Sequence, residues 1–466
     1  MDTRAHAFNS ILRTASCILS AAVISLAAPV LSSARQEDLT DHESGKEART
    51  ETTTENGTVQ DGKRKMSAED FRTFVTDSLD GGKTDIMERL MNLPNIEVGK
   101  GVTFRPKNNS YEMTIRFRMQ NMVGLSFNRN MTLTSTDAQV KRLRLRFDGY
   151  IFSPKIVYSI QLGFSSYDTE IIPNGNMNLI RDAIVYYVPG PSWNIGFGQT
   201  KIKGNRARVN SSSALQFIDR SIVNSEFGGD RDFGFFGEYN YGDFDSFALS
   251  AKGSVTLGEG RNFNTSSTAG FAYNGRLELY PLGRFHGNGE LLEGDVVWEE
   301  TPKIMLAGAY TFNDNALRTQ GMKGSLLPSP RDIGSYYFDF ILKYRGFAFV
   351  TDFMGRHVPG QASGIIPSGD GAPNFIYTGC GVNVQTSYLF DRKWEVALRN
   401  STMLPDAGIQ PLLGYASWNQ STIGVTRYLI RHSLKLQMDL SYNYRNKAMS
   451  PDYDRWMLRF QVELGL

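Results

Sequence analysis

Hydrophobic and polar residues alternate in two basic stretches, residues 111–120 (YEMTIRFRMQ) and 140–148 (VKRLRLRFD). Successive side chains of an extended strand point to opposite faces, so each stretch has one apolar face and one polar face. The polar faces carry Arg116, Arg118, Arg142, Arg144 and Arg146. A soluble sandwich would bury the apolar faces and leave the arginines in bulk water. A membrane barrel would turn the apolar faces to lipid and line a wet lumen with arginines. These two stretches are compatible with either fold.

The rest of the chain favours the barrel. Segments with the same alternation recur up to the last residue, and loops rich in Gly, Asn, Asp and Ser separate them. We predict strands near 111–120, 140–148, 156–164, 179–188, 192–199, 232–240, 244–255, 270–280, 303–312, 338–343, 347–356, 377–389, 393–401, 420–430, 432–443 and 455–466. Very short connections alternate with long ones, as expected for periplasmic turns and external loops. The sequence therefore predicts an all-β fold, a transmembrane antiparallel β-barrel of about 16 strands.

The final segment, 455–466, gives the strongest support for this fold. Trp456, Leu458, Phe460, Val462 and Leu464 share one face and continue the alternation almost to the last residue. Such a strand is typical of outer-membrane barrels, although a soluble sandwich could also end in one. Tyrosines and tryptophans near the predicted strand ends suit the aromatic girdles at the two membrane interfaces.

The N-terminal part of the chain differs in composition from the barrel. Residues 1–34 combine two arginines, an apolar segment and the small residues Ser32, Ser33 and Ala34, which indicates a secretory signal peptide. Cys17 leaves a lipid-anchored form as a minor alternative. Residues 35–66 are polar and acidic and should form a disordered linker. Residues 67–95 should contain a short periplasmic helical segment, since Ser67 and Asp70 form a helix-start pattern. The barrel is expected over 96–466.

Candidate chemistry is sparse. After signal removal the chain has one cysteine, Cys380, and its histidines stand at no catalytic or metal-ligand spacing. We therefore expect no enzyme activity, no metal and no cofactor. Nucleic-acid binding is not expected either, because the arginines alternate with apolar residues in an exported chain. The expected partners are outer-membrane lipid and small anions.

Several stretches resemble the phosphate-selective porin O and P family. They are GKGVTFRPKNNSYEMTIRFRMQ (99–120), RLRLRFDGYIFSPKIVYSIQLGF (142–164), Asp182-Ala183, Gly198-Gln199 with Lys201, Ser211 to Phe217 with Asp219-Arg220, Arg231-Asp232, and STIGVTRYLIRHSLKLQMDLSY (421–442). The resemblance covers residues 95–466 as scattered patches in the family's order. It implies a 16-stranded pore, commonly a homotrimer, whose third external loop folds inward and narrows the channel. That loop corresponds to residues 200–231 here.

The resemblance and the alternation together predict a basic pore lining. The candidate pore-lining residues are Arg116, Arg118, Arg142, Arg144, Arg146, Lys201, Lys203, Arg206 and Arg208. Acidic residues are also predicted on the inner face, so a general anion preference is favoured over strict phosphate selectivity. The expected function is an outer-membrane diffusion porin that passes phosphate or other small anions through a basic constriction. The alternative is a barrel that acts mainly as a surface scaffold or adhesin through its long loops.

Overall fold

The structure is a computed structural model. It describes residues 95–466 except 98, 172–176, 263–269, 362, 367–373 and 450–453. The predicted signal peptide and linker, and the predicted helical segment up to residue 94, lie outside the described residues.

Strands dominate the described chain. In chain order they are β1 (Asn95–Glu97), β2 (Gly101–Phe104), β3 (Tyr111–Asn128), β4 (Leu133–Ile151), β5 (Ser153–Gly163), β6 (Glu170–Ile171), β7 (Met177–Asn178), β8 (Ile180–Gly190), β9 (Trp193–Lys201), β10 (Arg231–Tyr241), β11 (Ala248–Thr256), β12 (Ala272–Tyr280), β13 (Lys303–Arg318), β14 (Leu326–Tyr344), β15 (Phe347–His357), β16 (Ile365–Ile366), β17 (Asn374–Phe375), β18 (Gly379–Phe390), β19 (Trp394–Pro405), β20 (Ser417–Ile430), β21 (Leu434–Asn446) and β22 (Arg455–Gly465). The short pairs β6–β7 and β16–β17 form separate two-stranded sheets.

Sixteen strands, β3–β5, β8–β15 and β18–β22, form one closed antiparallel barrel. Each pairs with the next barrel strand in sequence, and β22 pairs with β3 to close the barrel. This confirms the predicted fold and strand number. The residue pairs of the seam run from Arg455 opposite Asn128 to Gly465 opposite Arg118. Below that point β2 continues the same edge of β3, with Val102 opposite Ile115.

The predicted alternation places apolar side chains outside and polar side chains inside. On β22, Phe460 is 44% exposed on the outer face, whereas its neighbours Arg459 and Gln461 are buried on the inner face. The inner face of the barrel carries most of the buried charged and amide side chains. Among the described residues, no helix is long and apolar enough to cross a membrane.

The connections differ between the two ends of the barrel. At the end that carries the start of β3 and the end of β22, most connections are short, such as the two residues 345–346 between β14 and β15. One connection at this end is long and departs from the general asymmetry. Residues 281–302 join β12 to β13 there, and they include a 3₁₀-helical segment, His286–Leu291. This connection folds into the lumen instead of crossing the rim.

Residues 202–230, between β9 and β10, also fold into the lumen, and we call them the constriction loop. They contain α1 (Arg206–Val209), a 3₁₀ turn (Ser212–Ala214) and α2 (Ile222–Phe227). A further short helix, α3 (Gln410–Leu413), lies in the connection between β19 and β20.

The constriction loop is anchored to the barrel wall at two places. The Ser221 hydroxyl caps α2 by accepting a hydrogen bond from the Asn224 backbone N–H. Val223 and Phe227 of α2 then pack against buried side chains of the wall, including Met354 and Met403. Beyond the 3₁₀ turn, the backbone N–H of Ile218 donates to Asp439 Oδ2 at 3.0 Å. The loop therefore spans the lumen and divides it.

Candidate functional site

A cavity of 260 Å³ lies between the constriction loop and the wall formed by β4, β8 and β9. Its charged lining residues are Arg142, Arg144, Asp168, Arg181, Lys201, Arg208, Asp219, Arg220, Arg231, Arg261 and Lys323. Nine positive charges stand against two negative ones, a formal excess of +7. Asp182 and Asp230 do not line the cavity, but each forms an ion pair with a lining arginine. If these two carboxylates are included, the formal charge excess is +5. The cavity is therefore a concentrated positive region inside the barrel.

Arginines of β3 and β4 face one another across the strand pair that borders this cavity. Arg118 lies opposite Arg144, and Arg116 lies opposite Arg146. The arginines of the two strands are therefore direct neighbours. The Ser212 hydroxyl of the constriction loop accepts a 2.7 Å hydrogen bond from Arg118 and a 3.1 Å hydrogen bond from Arg144. Such neutral acceptors hold two like charges side by side without cancelling either.

Two β-bulges add cations that strict alternation does not place in the lumen. On β4, Gln120 pairs with Arg142 and Asn121 with Val140, so Lys141 is an extra residue. On β8, Arg181 is extra in the same way, because its neighbours 180 and 182 pair with consecutive residues of β5. A bulge lets two consecutive side chains point to the same face. Lys141 and Arg181 are both buried on the inner side.

The inserted cations contact acids of inward-reaching loops. Lys141 Nζ makes an ion pair with Asp219 of the constriction loop, which is also 2.9 Å from Arg459. Arg181 lies 3.0 Å from Asp168, and Arg144 donates two 2.6 Å hydrogen bonds to the same carboxylate. Asp168 is thus shared by two arginines, so one of them remains in excess.

Several cavity cations are held by backbone carbonyls. Lys201 Nζ donates to the carbonyls of Val209 and Asn210 at 2.7 and 3.0 Å. Arg220 donates to the carbonyls of Ala207 and Asn210 at 2.7 and 2.8 Å. Carbonyl oxygens satisfy the donors but carry no net charge. These residues fix the shape of the constriction loop while their positive charge stays uncompensated.

The pKa values of two loop groups at the cavity, Asp168 and Lys323, are shifted by burial and by the basic side chains beside them. Burial alone would raise the pKa of Asp168, but the hydrogen bond and charge of Arg144, together with Arg181, lower it below its usual value. Burial and the nearby charge of Arg208 lower the pKa of Lys323 to about 7. The Asp168 carboxylate therefore stays ionised, while Lys323 gains its charge as the pH falls through neutrality.

Tyr167 lies at the edge of the cavity with 56% of its surface exposed. Lys141 Nζ lies 5.5 Å and Arg142 Cζ 5.3 Å from its ring centroid. Both distances are within the range of cation–π attraction. The ring therefore adds an aromatic surface to the cavity lining and contacts both cations.

The structure separates the nine predicted pore-lining residues into three groups. Arg142, Arg144, Lys201 and Arg208 line the cavity, and Arg118 joins them through Ser212. Arg116 and Arg146 lie on the same wall nearer the strand ends, with 45% and 44% of their side chains exposed, and both pair with Asp148. Lys203 and Arg206 do not line the cavity. Arg206 turns to the opposite wall, where it lies 3.6 Å from Asp352.

Sequence reasoning missed Lys141, Arg181, Arg261 and Lys323. For the first two, a signal was present, since each is followed directly by a second charged residue inside a predicted strand. Strict alternation would turn one residue of each such pair to lipid, at a cost of ~2–4 kcal/mol for a basic side chain near the midplane. At these two places the consecutive charges coincide with a bulge. Arg261 and Lys323 lie in loops whose position no strand pattern reveals.

A closed 16-stranded antiparallel barrel with an apolar exterior, a polar interior and an inward-folded third external loop defines an outer-membrane porin. The bacterial outer membrane is accordingly its location, and the end with the short turns faces the periplasm. The family model described as phosphate-selective porin O and P matches residues 113–303 of the chain, which confirms the family resemblance. That stretch includes the arginine pairs of β3 and β4 and the whole constriction loop.

Solved structures of other outer-membrane channels are similar to this chain. The outer membrane channel DcaP of Acinetobacter baumannii is 14% identical over 79% of this chain and 100% of its own, with a TM-score of 0.48. The anion-selective porin from Comamonas acidovorans is 10% identical over 76% and 100%, also at 0.48. OmpF of Salmonella typhi is 11% identical over 78% and 100%, again at 0.48. No curated protein sequence matches the chain.

Proposed function

We propose that this porin is a passive diffusion channel that prefers small anions and selects them in the cavity beside the constriction loop. The observation that carries the proposal is the excess of basic groups in that cavity, where nine basic side chains stand against two carboxylates. A mobile anion entering it meets guanidinium and ammonium groups that are already held in place, so little reorganisation is needed.

The pore wall on the periplasmic side of the cavity supports the same preference for anions. Arg116 and Arg146 are exposed on the wall that leads from Arg118 and Arg144 towards the periplasm. Guanidinium groups match the planar or tetrahedral oxygens of carboxylates and phosphate. Several weak sites in series allow an anion to pass without being trapped. Because a field from exposed charges extends only ~8 Å at physiological salt, selection is confined to the narrow part.

The experiment is a measurement of reversal potential in a planar bilayer under a gradient of potassium chloride. Chloride permeability should exceed potassium permeability, and phosphate or a dicarboxylate should reduce the chloride current at millimolar levels. Cation preference in the unmodified protein would exclude the proposal, whatever the fold.

We further propose that the channel assembles as a homotrimer, as the family resemblance implies. Chemical crosslinking of intact outer membranes should then give a band of three covalently joined chains that persists after boiling. A monomer band alone after crosslinking would exclude this assembly.

A further inference from the structure

Residues 281–302 form a second inward-folded segment, and we call it the periplasmic loop because it joins β12 to β13 at the periplasmic end. Phe285 at its start is buried among Tyr280, Met305 and Ile341 of the inner wall. Burying an aromatic side chain inside the lumen stabilises the inward position over a solvated one. The loop therefore occupies one side of the lumen below the constriction loop.

Wall residues hold the periplasmic loop at several points. Lys343 Nζ of β14 is enclosed by three of its carbonyls, those of Gly289, Leu292 and Gly294, at 2.7, 3.0 and 2.7 Å. The backbone N–H of Gly346 donates to Asp295 Oδ2 at 2.7 Å. A buried ammonium with three carbonyl acceptors has all of its hydrogen bonds satisfied. These bonds hold the loop in a defined position inside the barrel.

The periplasmic loop touches the constriction loop through Glu293. Its Oε2 accepts a 2.9 Å hydrogen bond from the backbone N–H of Gln216, and its own backbone N–H donates to the Ala214 carbonyl at 3.3 Å. Ala214 ends the 3₁₀ turn that begins at Ser212, the residue that binds Arg118 and Arg144. The two contacting residues, Ala214 and Gln216, therefore lie two and four residues from Ser212, whose hydroxyl binds both arginines.

The fit at this contact is close. A Cβ on Gly294 would lie 2.1 Å from Glu395 Oε1 and 2.9 Å from Gln216 Nε2. Glu395 is buried and already bound to Gln216 and to Tyr428, at 2.6 Å each. Glu395 has little room to move away, so a side chain at residue 294 would push the periplasmic loop away from β19 and from Gln216 of the constriction loop.

We infer that the periplasmic loop supports the constriction loop from below, and that Glu293 is a positioning residue for the arginine pair. Removing this support should let the constriction loop fluctuate, which widens the path and loosens the placement of Arg118 and Arg144. The expected change in conductance follows from the geometry alone, whereas the expected loss of anion preference also rests on the proposed function.

The test compares single-channel recordings of Glu293→Ala with those of the unmodified protein. We expect a higher conductance, more open-channel noise and a reversal potential closer to zero. Glu290→Ala is the matched control, because Glu290 lies in the same loop and makes no hydrogen bond to the constriction loop within the described chain. It should leave all three quantities unchanged. Both variants must show heat-modifiable migration on a gel, which demonstrates a folded barrel.

Gly294→Ala is a second, independent variant that should give the same three changes. Unchanged conductance and noise in folded Glu293→Ala would overturn the inference, as would equal effects of Glu290→Ala. If the unmodified pore is cation-selective, the proposed function fails, but conductance and noise still decide the role of the periplasmic loop.

Discussion

Neutralising Arg181 should weaken anion binding in the cavity without disturbing the fold. Arg181 enters the lumen only because of the bulge in β8. Asp168, its partner, keeps two 2.6 Å hydrogen bonds from Arg144 when Arg181 is removed. Arg181→Gln therefore subtracts one charge from the cavity and leaves no unpaired carboxylate. Arg181→Lys keeps the charge and is the matched control.

The size of the effect follows from the dimensions of the cavity. A sphere of 260 Å³ has a radius of about 4 Å, so a wall charge lies about 6 Å from an anion at the centre. Two unit charges at that distance interact by about 0.7 kcal/mol in bulk water and about 2.8 kcal/mol at an effective dielectric constant of about 20. Since about 1.4 kcal/mol is a factor of ten, one lost charge should weaken binding between about 3-fold and about 100-fold.

The assay is the phosphate concentration that halves the chloride current through single channels. It should rise by at least about 3-fold in Arg181→Gln and stay near the unmodified value in Arg181→Lys. Lys155→Gln removes an equal charge at the exposed periplasmic end of β5, about 26 Å along the strand from Gly163 at the cavity. It should have little effect. An unchanged value in folded Arg181→Gln would refute the reasoning, and so would an equal change in Lys155→Gln.

Three further outcomes can be measured on the same preparation. Replacing Arg142 and Arg144 together by glutamine should reduce the chloride-to-potassium permeability ratio about tenfold, and an unchanged reversal potential would count against the cavity as the selective site. Because the pKa of Lys323 is about 7, its charge is present below neutral pH and lost above it. Anion preference should therefore fall between pH 6 and pH 8, and Lys323→Gln should remove that dependence; a pH response that survives this substitution would contradict the assignment. Phe460→Arg on the outer face of β22 should destabilise the barrel by ~2–4 kcal/mol in urea unfolding, whereas Phe460→Leu should be mild; equal stability would mean that this face does not meet lipid.

The sixteen strands could be predicted from sequence because lipid outside and water inside impose a period of two on each of them. The same alternation predicted that Arg118 and Arg144 lie on the inner face. The short loop between β3 and β4 makes these two strands neighbours. Alternation alone could not predict the full set of charged residues at the cavity. Lys141 and Arg181 depend on bulges, which interrupt the period, and Lys323 depends on the path of a loop.

The periplasmic loop was not predictable for a different reason. Its sequence is rich in glycine and acidic residues, which is also typical of a solvated surface connection. What holds it in the lumen comes from distant parts of the chain, chiefly Lys343 of β14 and the N–H of Gly346. Local patterns carry no information about such partners. The predicted pore-lining residues Lys203 and Arg206 lie outside this cavity, and Arg206 instead lies 3.6 Å from Asp352, a distant partner on β15.

The seam of the barrel has a consequence for the way in which the molecule is made. Its partners Asn128 and Arg455 are separated by more than three hundred residues, so β3 cannot gain its second neighbour until the whole chain has been delivered. Until then its backbone groups form an open edge that could join another chain. β2 pairs beside the start of β3 and covers that part of the edge from the outset. Only the stretch of the β3 edge that β22 later pairs with is left exposed. Barrel closure and protection from aggregation therefore both depend on this stretch of β3 pairing with β22.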